Sequence, residues 1–437
     1  MDKQDYDKLT KNIPTEKWCP APFVHGYINA NNRANKLCCM SKIVDRFDGL
    51  SDLGKQFDDF WRGDQMVGIR DSFMKGKMPE PCEWYCGKYE DEGVYEESMR
   101  LQMLGKYEGH FDWEELEINI EAGNKYERPL DIDLRPGKLC NFKCRSCCTV
   151  WSSEIEKEIL NNPEIQGEEW YWDTITTSPT HMKLVRSIDW NDPKMDLLKS
   201  VNLDKVKWLK MSGGETLIDP SVFNMWERVV ESGHAKNIIL HVLTNVSVFP
   251  KRAKDLLKEF KSVSFNLSID AIGPLEEYLR TGAKWEKQKK VWHQIFTELD
   301  NIKFIGTNTV CQVPSIFNII EWTDWIMENG TMYDTFSQLN YLPIVEPHYL
   351  CIGWLDEDHR EMIRKDLDHL KEKYKEYPRY ISNLRKVYSE LDRWKDQPEK
   401  REKEGKDFVK HTRALDKIRN ENVLDYVPQL ERYMNRW

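Results

Sequence analysis

The sequence predicts an α/β chain: parallel βα repeats in the middle, a small cysteine-rich segment before them and a charged helical extension after them. Three observations carry this. Strand-like runs begin near Leu130, Val206, Asn237, Ser262, Lys303 and Thr335, each followed by helical or loop material, an alternation that reads as six parallel βα units. Cysteines cluster ahead of the first of these runs and again just after it. From Asp356 onward the alternation gives way to charges at helical spacing. The expected boundaries are 1–105, 128–352 and 353–437.

The chain starts Met1-Asp2-Lys3-Gln4-Asp5-Tyr6-Asp7, without the apolar stretch of a secretory signal. Eleven cysteines in an unsecreted protein argue for metal or redox use over disulfides. Cys19-Pro20-Ala21-Pro22-Phe23 leads into Gly26-Tyr27-Ile28-Asn29-Ala30-Asn31-Asn32, which predicts a β-hairpin with a polar turn, and then into Cys38-Cys39. Pro81-Cys82-Glu83-Trp84-Tyr85-Cys86 follows, then Gly93 and Ser98-Met99-Arg100.

The strand near Leu130 runs into Cys140-Asn141-Phe142-Lys143-Cys144-Arg145-Ser146-Cys147. Three thiolates on one tight loop can hold three corners of a cubane iron–sulfur cluster, which leaves a fourth iron open to a chelating small molecule. The competing reading is a zinc knuckle, which needs a fourth ligand to close its tetrahedron. Cys148 is a poor fourth, because neighbouring residues rarely both reach one small centre. The segment from Thr149 to Ser200, with Trp151, Glu168-Glu169-Trp170-Tyr171-Trp172 and Trp190, is long for one βα connection. It reads either as a cover over the substrate or as a surface insertion.

Each later strand ends in chemistry. Val206–Ser212 runs into Gly213-Gly214-Glu215. Paired glycines let backbone approach a ligand closely, and a carboxylate behind them can accept hydrogen bonds from an ammonium group. Asn237–Leu243 ends in Thr244-Asn245, and Ser262–Leu267 ends in Ser268-Ile269-Asp270. Tyr278-Leu279-Arg280-Thr281-Gly282 adds an arginine. Cys311 ends the fifth strand and Cys351 follows the sixth. Both read as small core residues, the alternative being a catalytic thiol facing the cavity.

In this order the motifs resemble those of radical S-adenosylmethionine (radical SAM) enzymes. The resemblance implies a partial barrel of six βα units, with the motifs converging at the C-terminal strand ends, where barrels place their chemistry. It implies that Cys140, Cys144 and Cys147 hold a catalytic 4Fe–4S cluster whose open iron takes the amino and carboxylate groups of SAM. It further implies that Gly213, Gly214 and Glu215 hold the SAM amino group, that Asn245 belongs to the SAM site, and that Ser268 and Asp270 face the SAM ribose and carboxylate. Arg280 would face the carboxylate, which suits its bidentate fork. Two positions depart from the family pattern: Thr216 replaces the usual proline, and Ser146 the usual aromatic residue before the third cysteine.

The N-terminal cysteines, over about residues 17–101, resemble the SPASM/twitch auxiliary-cluster domains of the same superfamily. Those usually follow the barrel; here the domain would precede it, as in twitch-containing radical SAM proteins of phage and bacterial genomes. The resemblance implies a second, auxiliary 4Fe–4S cluster on Cys19, Cys38, Cys82 and Cys86, with Cys39 the rival to Cys38. A four-cysteine zinc site is the alternative.

The expected function is therefore reductive cleavage of SAM at a 4Fe–4S cluster to a 5′-deoxyadenosyl radical that abstracts hydrogen from a substrate, an oxidoreductase or related radical modification. A peptide is the leading substrate class, with a sugar, nucleotide or other small metabolite as the alternative, and an electron donor such as flavodoxin or ferredoxin is implied. A reading of a different class is a non-catalytic zinc-binding interaction protein. A net charge of −10 gives no support to general nucleic-acid binding. No apolar run nears the ~20 residues of a membrane span, so a cytoplasmic protein is expected. The charged C-terminal extension reads as a linker or solvated helix over Lys395–Asp407. Beyond it, a helical brace packs on the barrel, the alternative being a substrate-recognition element.

Overall fold

The structure, a computed structural model, describes residues 3–11, 13–29, 34–46, 52–91, 93, 95, 98–107, 129–165, 201 and 203–437. The hairpin turn and the tryptophan-rich stretch around Trp170 and Trp190 lie outside these residues. Eleven strands are found among them: β1 His25–Asn29, β2 Ala34–Lys36, β3 Asp45–Arg46, β4 Asp131–Arg135, β5 Lys143–Cys144, β6 Trp208–Met211, β7 Ile239–Thr244, β8 Ser262–Ser268, β9 Arg280–Thr281, β10 Ile302–Cys311 and β11 Phe336–Pro343. The six strands expected in the middle of the chain are β4, β6, β7, β8, β10 and β11. No described helix is long and apolar enough to cross a membrane.

The chain divides into two compact units. The first comprises Met1–Pro136, Leu184–Met211 and Asn224–Leu240, the second Gly137–Lys183, Ser212–Phe223 and His241–Trp437.

In the first unit the strand order is β6-β4-β1-β2-β3. β1 and β2 form the expected antiparallel pair, with Tyr27 opposite Lys36. β1 also runs parallel to β4, His25 opposite Asp131 and Asn29 opposite Arg135, and β4 runs parallel to β6. The N-terminal cysteine segment is thus built onto the same sheet as the strand that leads to the cysteine loop. Period-two alternation sorts the faces. Ile28, Ile132, Leu134, Leu209 and Met211 are buried on one side. The other side is a row of ion pairs. His25 Nδ1 lies 3.1 Å from Asp131 Oδ2, Tyr107 Oη donates to the same oxygen at 2.5 Å, and Lys106 pairs with it too. Lys210 donates to Asp133 Oδ2 at 2.9 Å. Burial alone would raise both carboxyls, but the facing cations outweigh it and hold them well below the usual range.

In the second unit the order is β11-β10-β8-β7. β8 pairs parallel with β10, and β10 with β11, Asn308 facing Ser268 on one side and Asn340 on the other. The helices Gly273–Leu279 and Trp285–Thr297 connect β8 to β10, and Ile319–Gly330 connects β10 to β11, as parallel strands require. Trp292 and Trp322 are fully buried with Phe265, Ile305 and Leu339. Truncating either Trp to Ala is expected to cost about 3–5 kcal/mol. The charged segment expected as a linker or solvated helix is helical: one helix runs Pro398–Arg419, with proline in its first turn and Asn420 closing it at φ 51°. Phe408, Val409, Thr412, Leu415 and Asp416 form its buried stripe.

Candidate functional site

Every residue that sequence reasoning placed around the cysteine loop falls in the second unit. The loop is held at both ends. Ser152 caps the helix Ser153–Asn161 by accepting from Ile155 N–H, and its hydroxyl donates back to Phe142 O at 2.8 Å. Cys140 N–H donates to Ser153 Oγ at 3.2 Å. Farther along, β5 pairs antiparallel with β9, which sets Cys144 opposite Arg280 and Lys143 opposite Thr281. Arg145 N–H donates to Leu279 O at 2.9 Å.

The glycine pair does what close approach requires. Gly214 N–H donates to Gly137 O at 3.1 Å and Glu215 N–H to Leu139 O at 2.7 Å. A Cβ on Gly213, at φ +151°, would lie 2.3 Å from Gly137 O, and one on Gly214 2.1 Å from Leu139 O. Only glycine lets the two segments lie this close.

Glu215 is 1% exposed. Its Oε1 accepts from Leu217 N–H at 3.0 Å and from the Thr244 hydroxyl at 2.7 Å, and its Oε2 accepts from Asn245 N–H at 2.6 Å. Burial raises its pKa, and these three donors work against the rise. A carboxylate has about four acceptor sites, so three donors leave room for one more. Asn245 reaches the cysteine loop, its Nδ2 donating to Asn141 Oδ1 at 2.9 Å. The next residue, Val246, sits at φ 61°, where a β-branched side chain is strained; backbone strain of this kind concentrates at functional sites.

At the end of β8, Asp270 Oδ1 accepts from Val310 N–H at 2.8 Å and its Oδ2 from Arg280 Nε at 2.8 Å. Arg280 Nη1 lies 3.7 Å from Cys144 Sγ. Ser268 is half-buried on the same strand. Sequence reasoning missed Glu276, which is fully buried. Its Oε2 accepts from Asp270 N–H at 2.9 Å and Ala271 N–H at 3.1 Å, and Arg280 Nε lies 3.6 Å from its Oε1. Burial pushes its carboxyl up to about 7, with Asp270 adding to the rise and Arg280 opposing it. Its one sequence signal is its place a helical turn ahead of Arg280.

Burial raises all three loop thiols, Cys144 to about 12 against the pull of Arg280. The charge of Cys148 raises Cys147 further, followed by those of Cys144 and Cys140. No described group of three or more His, Cys, Asp or Glu side chains is gathered as the site of a single metal ion. A cubane spreads its thiolates over separate iron corners and asks for a looser triangle. Arg145, between the second and third cysteines, is 4% exposed, and its Nη1 has no hydrogen-bond partner. Three half-buried thiols on one loop, with the Arg280 guanidinium at Cys144, fit an anionic iron–sulfur group.

The other cysteine set lies in the first unit. Cys19, Cys38, Cys82 and Cys86 are each buried. After burial itself, Cys82 and Cys86 raise the Cys19 thiol, and Cys38 and Cys86 raise Cys82. Burial raises Cys38 as well, and after it the charge of Cys39, then those of Cys19 and Cys86. Cys39 is half-buried and acts on Cys38 as well as on Tyr27, Arg135 and Lys210. Of the adjacent pair, Cys38 is the more buried. Cys311 and Cys351 are buried, at 2% and 0% exposure.

No protein-family profile matches the chain, and no curated protein does. Among solved structures it is similar to SuiB of Streptococcus suis bound to S-adenosylmethionine, at 16% identity over 71% of this chain and 62% of that one, with a TM-score of 0.37. It is similar to anSMEcpe with bound AdoMet and the Cp18Cys peptide, at 15% identity over 58% and 62% of the two chains and a TM-score of 0.35. A shorter likeness is to TsrM, a radical S-adenosylmethionine methyltransferase of Kitasatospora setae, at 14% identity over 34% and 29%, with a TM-score of 0.27. The chain spans less than two thirds of the length of each of these.

Proposed function

We propose that this chain is a radical SAM enzyme. The observation that carries the reading is that three strand-end motifs, far apart in sequence, meet at one cysteine loop within one unit: Glu215 against Leu139, Asn245 on Asn141, and Asp270 holding Arg280 beside Cys144. Cys140, Cys144 and Cys147 would hold a 4Fe–4S cluster with one open iron. When bound, that cluster supplies the one-electron cleavage of SAM to methionine and a 5′-deoxyadenosyl radical, the electron coming from a donor such as flavodoxin or ferredoxin.

The chain's own residues position the reactant. Gly213 and Gly214 bring backbone to the loop, and Glu215 offers its remaining acceptor site to the SAM ammonium. Ser268 and Asn245 would line the SAM site. Asp270 fixes Arg280, whose other guanidinium edge is left for a carboxylate. Residues 128–352 are proposed as the barrel region and 353–437 as its helical extension.

Residues 1–105 are proposed to carry an auxiliary 4Fe–4S cluster on Cys19, Cys38, Cys82 and Cys86. The substrate is proposed to be a peptide, modified at a C–H bond in an oxidoreductase-type or related radical reaction. Support comes from the sheet face beside Ser268. Asn266 and Asn340 both donate through Nδ2 to Asn308 Oδ1, at 3.2 and 3.1 Å. Their neighbours Val310 and Leu342 are also uncharged. A row of neutral amides suits amide groups better than phosphates. The test is anaerobic reconstitution with iron and sulfide, followed by SAM titration of the reduced cluster's electron paramagnetic resonance signal. A SAM-dependent change in that signal supports the reading, and a colourless protein that binds only zinc overturns it.

A further inference from the structure

The C-terminal helix Pro398–Arg419 reaches the cysteine loop through one buried arginine. Arg145 Nη2 donates to Asp416 Oδ1 at 2.6 Å and to Glu421 Oε2 at 2.7 Å. Its Nε donates to Tyr278 O at 3.2 Å, and the guanidinium stands 3.7 Å from the centroid of the Tyr278 ring. The Tyr278 hydroxyl donates to the same Asp416 oxygen at 3.0 Å, while Asp416 Oδ2 accepts from Val423 N–H at 2.8 Å. A second tie runs alongside: Glu158 Oε2 accepts from Arg419 at 2.6 Å and Glu158 Oε1 from Lys143 at 2.7 Å. Arg145 and Lys143 both belong to the cysteine loop, 271 residues from Asp416 for the first of these pairs.

Buried ion pairs return little net stability, because desolvation consumes most of the Coulomb gain. Their stronger effect is to fix geometry and local charge. Here one loop cation meets two carboxylates from the tail, and the hydrogen bonds and net charge around a cluster set its reduction potential.

We propose that Asp416 and Glu421 are positioning residues: they hold Arg145, and with it Cys144–Cys147, in the geometry that receives the cluster, and their charge sets the cluster's midpoint potential. The positioning half stands on this chain's contacts alone; the potential half rests on the radical SAM reading above. The tail is thereby a working part of the site rather than a brace alone.

The experiment has two readouts. In metal-free protein, Asp416→Asn should speed hydrogen exchange at the Arg145 and Cys147 amides by about tenfold, the scale of one lost charged hydrogen bond. These amides donate to Leu279 O at 2.9 Å and Cys144 O at 3.1 Å. Glu421→Gln, at the more exposed partner, should give a smaller change in the same direction and serves if Asp416→Asn does not fold. Asp358→Asn breaks an exposed pair with Arg432 elsewhere on the extension and should change neither amide. In reconstituted protein, Asp416→Asn should shift the loop cluster's potential upward, by removing negative charge, and Arg145→Gln should shift it downward. A purely structural role would not give shifts of opposite sign. Unchanged exchange in both tail variants overturns the positioning role, and same-sign shifts overturn the charge effect. Faster exchange in a protein that takes up no iron and sulfide overturns the radical SAM reading while supporting the positioning role.

Discussion

The Arg280 guanidinium stands 3.7 Å from the sulfur of Cys144, directly across the short β5–β9 pair. The same side chain gives its Nε to Asp270, so one arginine couples the cysteine loop to the acid at the end of β8. Lysine keeps the charge but has no fork with which to serve both partners. Arg280→Lys should therefore retain cluster iron and bind SAM more weakly, by less than the loss at Glu215 described next. SAM titration of the electron paramagnetic resonance signal checks this.

Glu215→Ala removes the acceptor proposed for the SAM ammonium without removing an iron ligand. Iron content should stay near the parent level while SAM binding weakens by about 1.5–3 kcal/mol, the value of a hydrogen bond to a charged group. The structure adds a second expectation. Thr244 Oγ1 and the N–H groups of Asn245 and Leu217 lose their partner, so the melting temperature should fall as well. Unchanged SAM affinity with an intact cluster would remove the glycine-pair segment from the site.

With Cys140, Cys144 and Cys147 all changed to Ala, the N-terminal set should still hold iron and sulfide in about a 1:1 ratio, as a cubane requires. Adding Cys38→Ala should empty that set, whereas adding Cys39→Ala should not, because the proposed ligand Cys38 is buried with Cys19, Cys82 and Cys86 while Cys39 is half-buried. Zinc without sulfide in the triple variant would make the N-terminal set a structural zinc site.

Glu276 gives the protein a pH signature. Its folded carboxyl is held up to about 7 against an ordinary 4.5, first by burial. Between those values the folded protein keeps a proton that the unfolded chain has released. Stability from this group is therefore fully present at low pH and falls as pH rises to about 7. Glu276→Gln should flatten that part of the stability curve, measured by denaturant unfolding across the range.

The strands and the site motifs were legible because they are local. β8 begins at Ser262 and β11 at Phe336, where apolar alternation begins, and the strand-end residues Glu215, Asn245, Asp270 and Arg280 gather as their order implied. Pairing partners were not legible. Nothing local in His25–Asn29 encodes that β1 adds parallel to β4, and nothing near Arg145 points to Asp416 or Glu421. Glu276 was hidden for another reason: a glutamate on a short helix reads as solvated until the fold buries it beneath Asp270. The choice between Cys38 and Cys39 was not legible either, because adjacent residues share nearly the same spacing to every other cysteine.

The most direct test is SAM turnover. Anaerobically reconstituted protein, reduced with dithionite, should convert SAM to 5′-deoxyadenosine and methionine, and Cys144→Ala should abolish the conversion. A Cys144→Ala variant that cleaves SAM as fast as the parent would contradict the assignment of the cysteine loop and, with it, the proposed function.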